Sequence, residues 1–275
     1  MTATARYFLN PAALPTMPEL ASRLLRSLDR DDLSLNELSG LIARDQSLAS
    51  KVLRLANSAR FGPRRAVASL RDAANLIGVR GLRDLTLTAC LAGMFPPQAH
   101  FDRARFWRHG VATAGHARTL ASLCGIDPDE AYLAGLLLRT GRILMLLTEP
   151  GTFARTDALA EAPDSLIGHE RAQFGCCHAE LSAELARRWH FPPALVEALA
   201  AAADPLAVPR FSPLGGLVRV ASTLADAGDL ALPELETLLA TQPALIERLA
   251  LDPARMADCL LPYEVLTLGV DQLLA

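Results

Sequence analysis

Two of the six histidines and a pair of arginines stand out in this chain as residues whose types could support chemistry. His109 lies in "FWRHG" and His178 in "CCHAEL", each within a largely apolar neighbourhood. Imidazole binds divalent metals and moves protons near neutral pH. A metal that activates water for attack on phosphorus, however, needs several converging donors. Two histidines supply only a fraction of such a set, and both are expected as hydrogen-bonded groups in a mostly apolar interior. Arg139 and Arg142 interrupt the apolar run "AGLLLRTGRILML", 134–146. Arg139 either sits on a solvated face or stands in for a cation and holds nearby acceptors, with Glu170 or Glu180 as partners.

A second concentration of charge is "SARFGPRRAVASLRDAANLIGVRGLRD", which carries Arg60, Arg64, Arg65, Arg71, Arg80 and Arg83 with few acids between them. Such a set grips phosphate, whether of a nucleotide or of nucleic acid, or else decorates helix ends in water. Reading DNA directly would also need a recognition helix, and none is identifiable. Arg60, Arg64, Arg65, Arg80, Arg83 and Arg139 are therefore the candidate ligand or partner contacts. Other chemistries lack their motifs: there is no GxGxxG, GxxxxGK[ST] or GxSxG. The five cysteines (Cys90, Cys124, Cys176, Cys177 and Cys259) are odd in number, scattered and without CxxC. They read as reduced thiols in a cytoplasmic protein, with the adjacent Cys176 and Cys177 as small core fillers.

Helices must position these residues, because the apolar periodicity is helical almost throughout. Met17, Leu20, Leu24, Leu25 and Leu28 mark one buried face. Ser34-Leu35-Asn36-Glu37 has the form of a capping box, and Asp45 and Ser69 are further helix starts. Asn57-Ser58 reads as a helix C-cap and turn. Gly78 ends one helix and Gly81 opens another segment. "DPDE", 127–130, combines a capping Asp127 with Pro128 at the first helical position. That start launches a helix expected to run unbroken through 134–146. No segment shows the period-2 alternation of a strand. The expected class is all-α.

Composition bounds the rest. The 275 residues are 51% hydrophobic and 21% charged, which is globular, and the net charge of −3 gives no global pull toward nucleic acid or anionic membrane. Mean hydropathy is +0.22, yet no uninterrupted apolar run approaches the roughly 18 residues of a membrane span. No signal peptide is expected at the N-terminus.

Six segments in order carry a family resemblance: "LPTMPELASRLL" (14–25), "LSGLIARDQSLASKVLRLANSARFG" (38–62), "SLRDAANLIGVRGLRDLTL" (69–87), "FWRHGVATAGHARTLA" (106–121), "AYLAGLLLRTGRILML" (131–146) and "HAELSAELARRWHFPPALVEAL" (178–199). Together they resemble the HD-related output domain (HDOD) family, a branch of the HD phosphohydrolase superfamily found in bacterial signalling. The resemblance covers about residues 10–210. It implies a multi-helix HD-like bundle; turn residues at 95–102 divide an N-terminal helical lobe (10–98) from an HD-like helical lobe (99–226), and "DAGDLALPE", 226–234, separates off a C-terminal helical tail (227–275). It also implies where the superfamily's metal ligands would fall. His109 occupies the first histidine position, and His178 one kept in related cyclic-dinucleotide phosphodiesterases. The adjacent His-Asp falls on Leu138 and Arg139, a later His-His pair on Ala202 and Ala203, and the late Asp on Ser222, with Asp226 one turn on. Too few donors survive for a metal, so neither a catalytic residue nor a cofactor is expected.

The resulting expectation is a non-catalytic signalling module that binds a protein or nucleotide partner, acting in trans, with a homodimer as one form and no membrane contact. Two alternatives stay open at this point. One is a residual metal-dependent phosphohydrolase using His109 and His178. The other is a nucleic-acid-associated regulator working through the arginine-rich segment.

Overall fold

Several helix starts in this chain are set by short polar side chains that satisfy free backbone N–H groups. In the computed structural model, which describes residues 3–9, 16–26, 34–57, 62, 66–95, 98 and 101–274, Ser34 accepts from the Glu37 N–H while Glu37 reaches back to the Ser34 N–H at 3.0 Å. Asp45 accepts from Leu48 N–H at 3.0 Å, Ser69 from Asp72 N–H at 3.0 Å, and Asp127 from both Asp129 and Glu130. The described residues are helical with no strand.

The chain divides into two compact units. One comprises residues 15–108 and 267–275. It holds α1 (Glu19–Arg26), α2 (Leu35–Ile42), α3 (Gln46–Ala56), α4 (Leu70–Met94), the start of α5 (Arg103–Cys124) and, at the far end of the chain, α17 (Val270–Leu274). Helix α4 packs on α1, α2 and α3, and α17 packs on α3 and α4. Leu38, Ile42, Val52, Leu82 and Leu91 are fully buried. Gly78 bends α4, with φ 78° and ψ 163°, a backbone state that a side chain would strain. Asn57 caps α3 and clamps the returning chain: its side chain bonds both the N–H and the carbonyl of Val67, at 2.7 and 2.8 Å.

The other unit comprises residues 1–14 and 109–266, so the helices that follow 226, up to Leu266, belong to it. After α5 come α6 (Pro128–Leu137), α7 (Gly141–Thr148), α8 (Pro150–Ala158), α9 (Leu166–Phe174), α10 (His178–Arg188), α11 (Pro193–Ala201), α12 (Pro213–Asp229), α13 (Glu234–Thr241), α14 (Pro243–Arg248), α15 (Pro253–Cys259) and α16 (Tyr263–Thr267). Helix α10 packs between α7 and α11, and α12 between α6, α11 and α13. Glycines permit the closest approaches. A Cβ on Gly135 would lie 2.8 Å from the Cα of Ala114, and one on Gly141 would overlap the His178 carbonyl oxygen.

The run 134–146 is not one helix. It breaks into a turn at 138–140, between α6 and α7. Ser182 on α10 compensates the break, because its hydroxyl accepts from Gly141 N–H at 2.8 Å and donates to Leu138 O at 2.6 Å. Pro128–Thr148 is 21 residues and contains an 18-residue stretch of mean hydropathy 1.3, long and apolar enough by composition for a membrane span. Of that stretch 83% is buried inside the fold, and the segment carries Arg139 and Arg142, which is the pattern of a core helix pair.

Candidate functional site

The turn at 138–140 carries Leu138 and Arg139, which both line the same small cavity. Leu138 is fully buried. The Arg139 guanidinium reaches Asp226 on α12, with Nη2 2.5 Å from Oδ1. The same oxygen lies 3.0 Å from His109 Nε2 on α5. Because a carboxylate only accepts, His109 carries its proton on Nε2. The other Asp226 oxygen accepts from the backbone N–H of Asp164 at 3.1 Å. Asp164 takes a left-handed conformation, φ 65°, at the entrance to α9. Its side chain meets Arg219 Nε at 2.5 Å and accepts from Gln242 at 2.5 Å. Arg219 in turn donates to the carbonyl oxygens of Ala202 and Ala203, at 3.1 and 3.4 Å.

A second cluster joins the first at His178. Glu170 Oε2 is 2.6 Å from His178 Nδ1 and accepts from the His178 backbone N–H at 2.8 Å. Its other oxygen accepts from Arg142 Nε at 3.1 Å, and Arg142 also pairs with Asp157 at 2.7 Å. The Nδ1 proton therefore faces Glu170, which leaves Nε2 as a lone pair. His178 Nε2 and Arg139 Nε are both buried without a hydrogen-bond partner among the described residues. His178, Arg139, Asp226, Arg219 and Ser222 line a common cavity of about 10 Å³, at the limit for one water molecule.

Burial and charge set the protonation states. Burial pushes the His109 imidazole down to about 4, and the Arg139 charge adds to this against the pull of Asp226. Burial also lowers His178, opposed by Glu170. For Asp226 burial works upward, but the Arg139 cation and the His109 hydrogen bond outweigh it and hold the carboxyl well below the usual range. Glu170 is likewise held low, with His178 and Arg142 overcoming its burial. Two guanidinium cations thus face two carboxylates around two neutral imidazoles.

Several sequence expectations change here. Arg139 is neither on a solvated face nor paired with Glu170 or Glu180; Glu170 is taken by His178 and Arg142, and Glu180 by Arg171 and the Cys177 N–H. The acid facing His109 is Asp226, not a residue at the Ser222 position; Ser222 only lines the cavity. Ala202 and Ala203 contribute through their backbone oxygens. Asp164, Arg219 and Gln242 carry no signal in the sequence, since no local pattern joins them. Arg80 and Arg83 lie on α4 in the other unit, where Arg83 Nε is 3.9 Å from Asp84. Arg60, Arg64 and Arg65 lie outside the described residues. Cys176 and Cys177 are buried, as core fillers should be.

The donor set does not fit a divalent metal. Where the superfamily pattern has a His-Asp pair this chain has Leu138, which has no donor atom, and Arg139, a fixed cation. His109 Nε2 is committed to Asp226. The described residues contain no group of three or more His, Cys, Asp or Glu placed to hold a metal ion.

Comparison with known proteins agrees with this architecture. The family model for the HDOD domain matches residues 14–205. A crystal structure from Shewanella amazonensis SB2B, provisionally named a phosphohydrolase, superimposes with a TM-score of 0.78 at 26% identity, covering 99% of this chain and 98% of that one. An HDOD domain protein of unknown function from Geobacter sulfurreducens gives 0.69 at 23% identity, covering 94% and 97%. An uncharacterized protein of Treponema pallidum (strain Nichols) is 29% identical over 191 residues, 66% of this chain, and the match spans only 37% of that relative's length.

Proposed function

Since the chain belongs to the HDOD family, we propose that it is a non-catalytic bacterial regulatory module that acts by binding a protein or nucleotide partner. The observation that carries this reading is the Arg139–Asp226 ion pair at the centre of the candidate site. A metal-dependent phosphohydrolase needs an open coordination position, a bound water and room for a phosphoester. In this chain a guanidinium is seated against the acid, and the remaining space is about 10 Å³. The chemistry of the residues favours a packed polar core over a reaction centre. Signalling is then a matter of surface recognition.

The test is metal analysis of the purified chain together with hydrolysis of bis(p-nitrophenyl) phosphate in the presence of Mn2+ or Fe2+. The expected result is metal far below one equivalent and no turnover above buffer. Stoichiometric metal with turnover that Arg139→Ala alters would overturn the reading. A thermal-shift panel of nucleotides, cyclic di-GMP included, then separates nucleotide from protein as the partner class.

A further inference from the structure

We infer that Arg139 is the built-in cation of this site: its guanidinium takes the position a divalent ion would hold between His178 and Asp226, and thereby excludes metal. This rests on the reading of the chain as non-catalytic and goes further, because it names the residue that enforces it. Three observations meet here. His178 is prepared as a metal-bound histidine is prepared, with Glu170 holding Nδ1 at 2.6 Å and the Nε2 lone pair buried without a partner among the described residues. Asp226 is prepared as a ligating carboxylate is, with His109 on one oxygen at 3.0 Å and the Asp164 N–H on the other at 3.1 Å. Both side chains line the small cavity that also contains Arg139, whose Nη2 is 2.5 Å from Asp226.

An apolar replacement of a lost metal would leave Asp226 as an uncompensated buried charge. A guanidinium supplies the positive charge, and it needs no deprotonated ligands and no metal supply. The neighbouring Arg219 likewise supplies a positive charge to Asp164, and it donates to the Ala202 and Ala203 carbonyls.

The experiment replaces the cation by a donor. Arg139→Asp removes the guanidinium and adds a third ligand beside His178 and Asp226. The expected outcome is about one equivalent of Mn2+ per chain, with a melting temperature that rises on adding Mn2+. Wild type and Arg139→Lys, which keep a cation, should show neither response. Where Arg139→Asp does not fold, Arg139→Gln is measured in the same way, and its melting temperature should rise with Mn2+. A folded variant indifferent to Mn2+ overturns the inference. So does failure of both variants to fold with Mn2+ present, since the ion is then no substitute for the guanidinium. Metal and turnover in wild type would overturn the regulatory reading as well, whereas a metal-free variant leaves that reading standing.

Discussion

Glu170 grips His178 at two points, the backbone N–H at 2.8 Å and Nδ1 at 2.6 Å, while its second oxygen takes Arg142 Nε at 3.1 Å. One carboxylate, 1% exposed, thereby fixes the first residue of α10 and a buried arginine of α7. Truncating one member of a buried charged set strands the others, which costs about 3–5 kcal/mol. Glu170→Ala should lose stability of that order in urea unfolding, and Glu170→Gln, which keeps acceptor capacity on one oxygen, should lose less. Equal stability of Glu170→Ala and wild type would show that the cluster is solvated.

Acid should weaken the fold before its carboxylates titrate. His109 has an ordinary value of 6.5 and a folded value of about 4. Between those limits the unfolded chain binds the proton and the folded chain does not, so stability rises with pH across the window and falls on acidification. The full shift corresponds to about 3 kcal/mol. Asp226 and Glu170 have depressed folded values, so their contribution is complete above the ordinary carboxylate range and is lost only as pH drops through the folded values. Urea midpoints taken at several pH values between 4 and 6.5 should therefore decline on acidification in wild type and decline less in His109→Gln. An identical slope in the two proteins would remove His109 as the cause.

The break between α6 and α7 depends on two small residues. Ser182 satisfies the Gly141 N–H and the Leu138 carbonyl, so Ser182→Ala leaves two buried backbone groups without partners and should cost about 1–3 kcal/mol. Gly141 touches the α10 backbone at His178. Gly141→Ala must push α7 and α10 apart and should cost at least as much, about 1–3 kcal/mol or more. Circular-dichroism melts of the two variants read both effects. A Gly141→Ala protein with the wild-type melting temperature would mean that the helices separate at no cost.

Much of this architecture is legible from single residues because capping is local. Ser34, Asp45, Ser69 and Asp127 each act within three positions of themselves, and the helices begin where they stand. The site is different. His109, Arg139 and His178 are visible as odd residues in apolar runs, but Asp226 is 117 positions from His109 and 87 from Arg139. Packing of α12 against α6 carries Asp226 to the turn that holds Arg139, a pairing no local pattern announces. Glu170 is closer to being readable. It lies eight positions before His178, with the left-handed Gly175 turning the chain between them. The helix break at 138–140 leaves no composition signal, because Leu138-Arg139-Thr140 would sit comfortably in a helix. The backbone groups it frees are satisfied by the Ser182 hydroxyl, which comes from another element.

The thiols offer a probe of whether this interior stays shut. Burial raises Cys176 to about 11 and Cys177 and Cys90 to about 12. Since the thiolate is the reactive form, each is almost entirely protonated near neutrality and also inaccessible. Cys124 and Cys259 are partly exposed, so they are the two accessible thiols. Ellman's reagent near pH 8 should accordingly label Cys259 first, Cys124 more slowly because burial raises its thiol too, and the remaining three only at the rate of unfolding. Mass spectrometry of the labelled chain assigns the sites. Rapid modification of Cys176 or Cys177 in native protein would show that the turn preceding α10 opens, and with it the segment that presents His178 to Glu170.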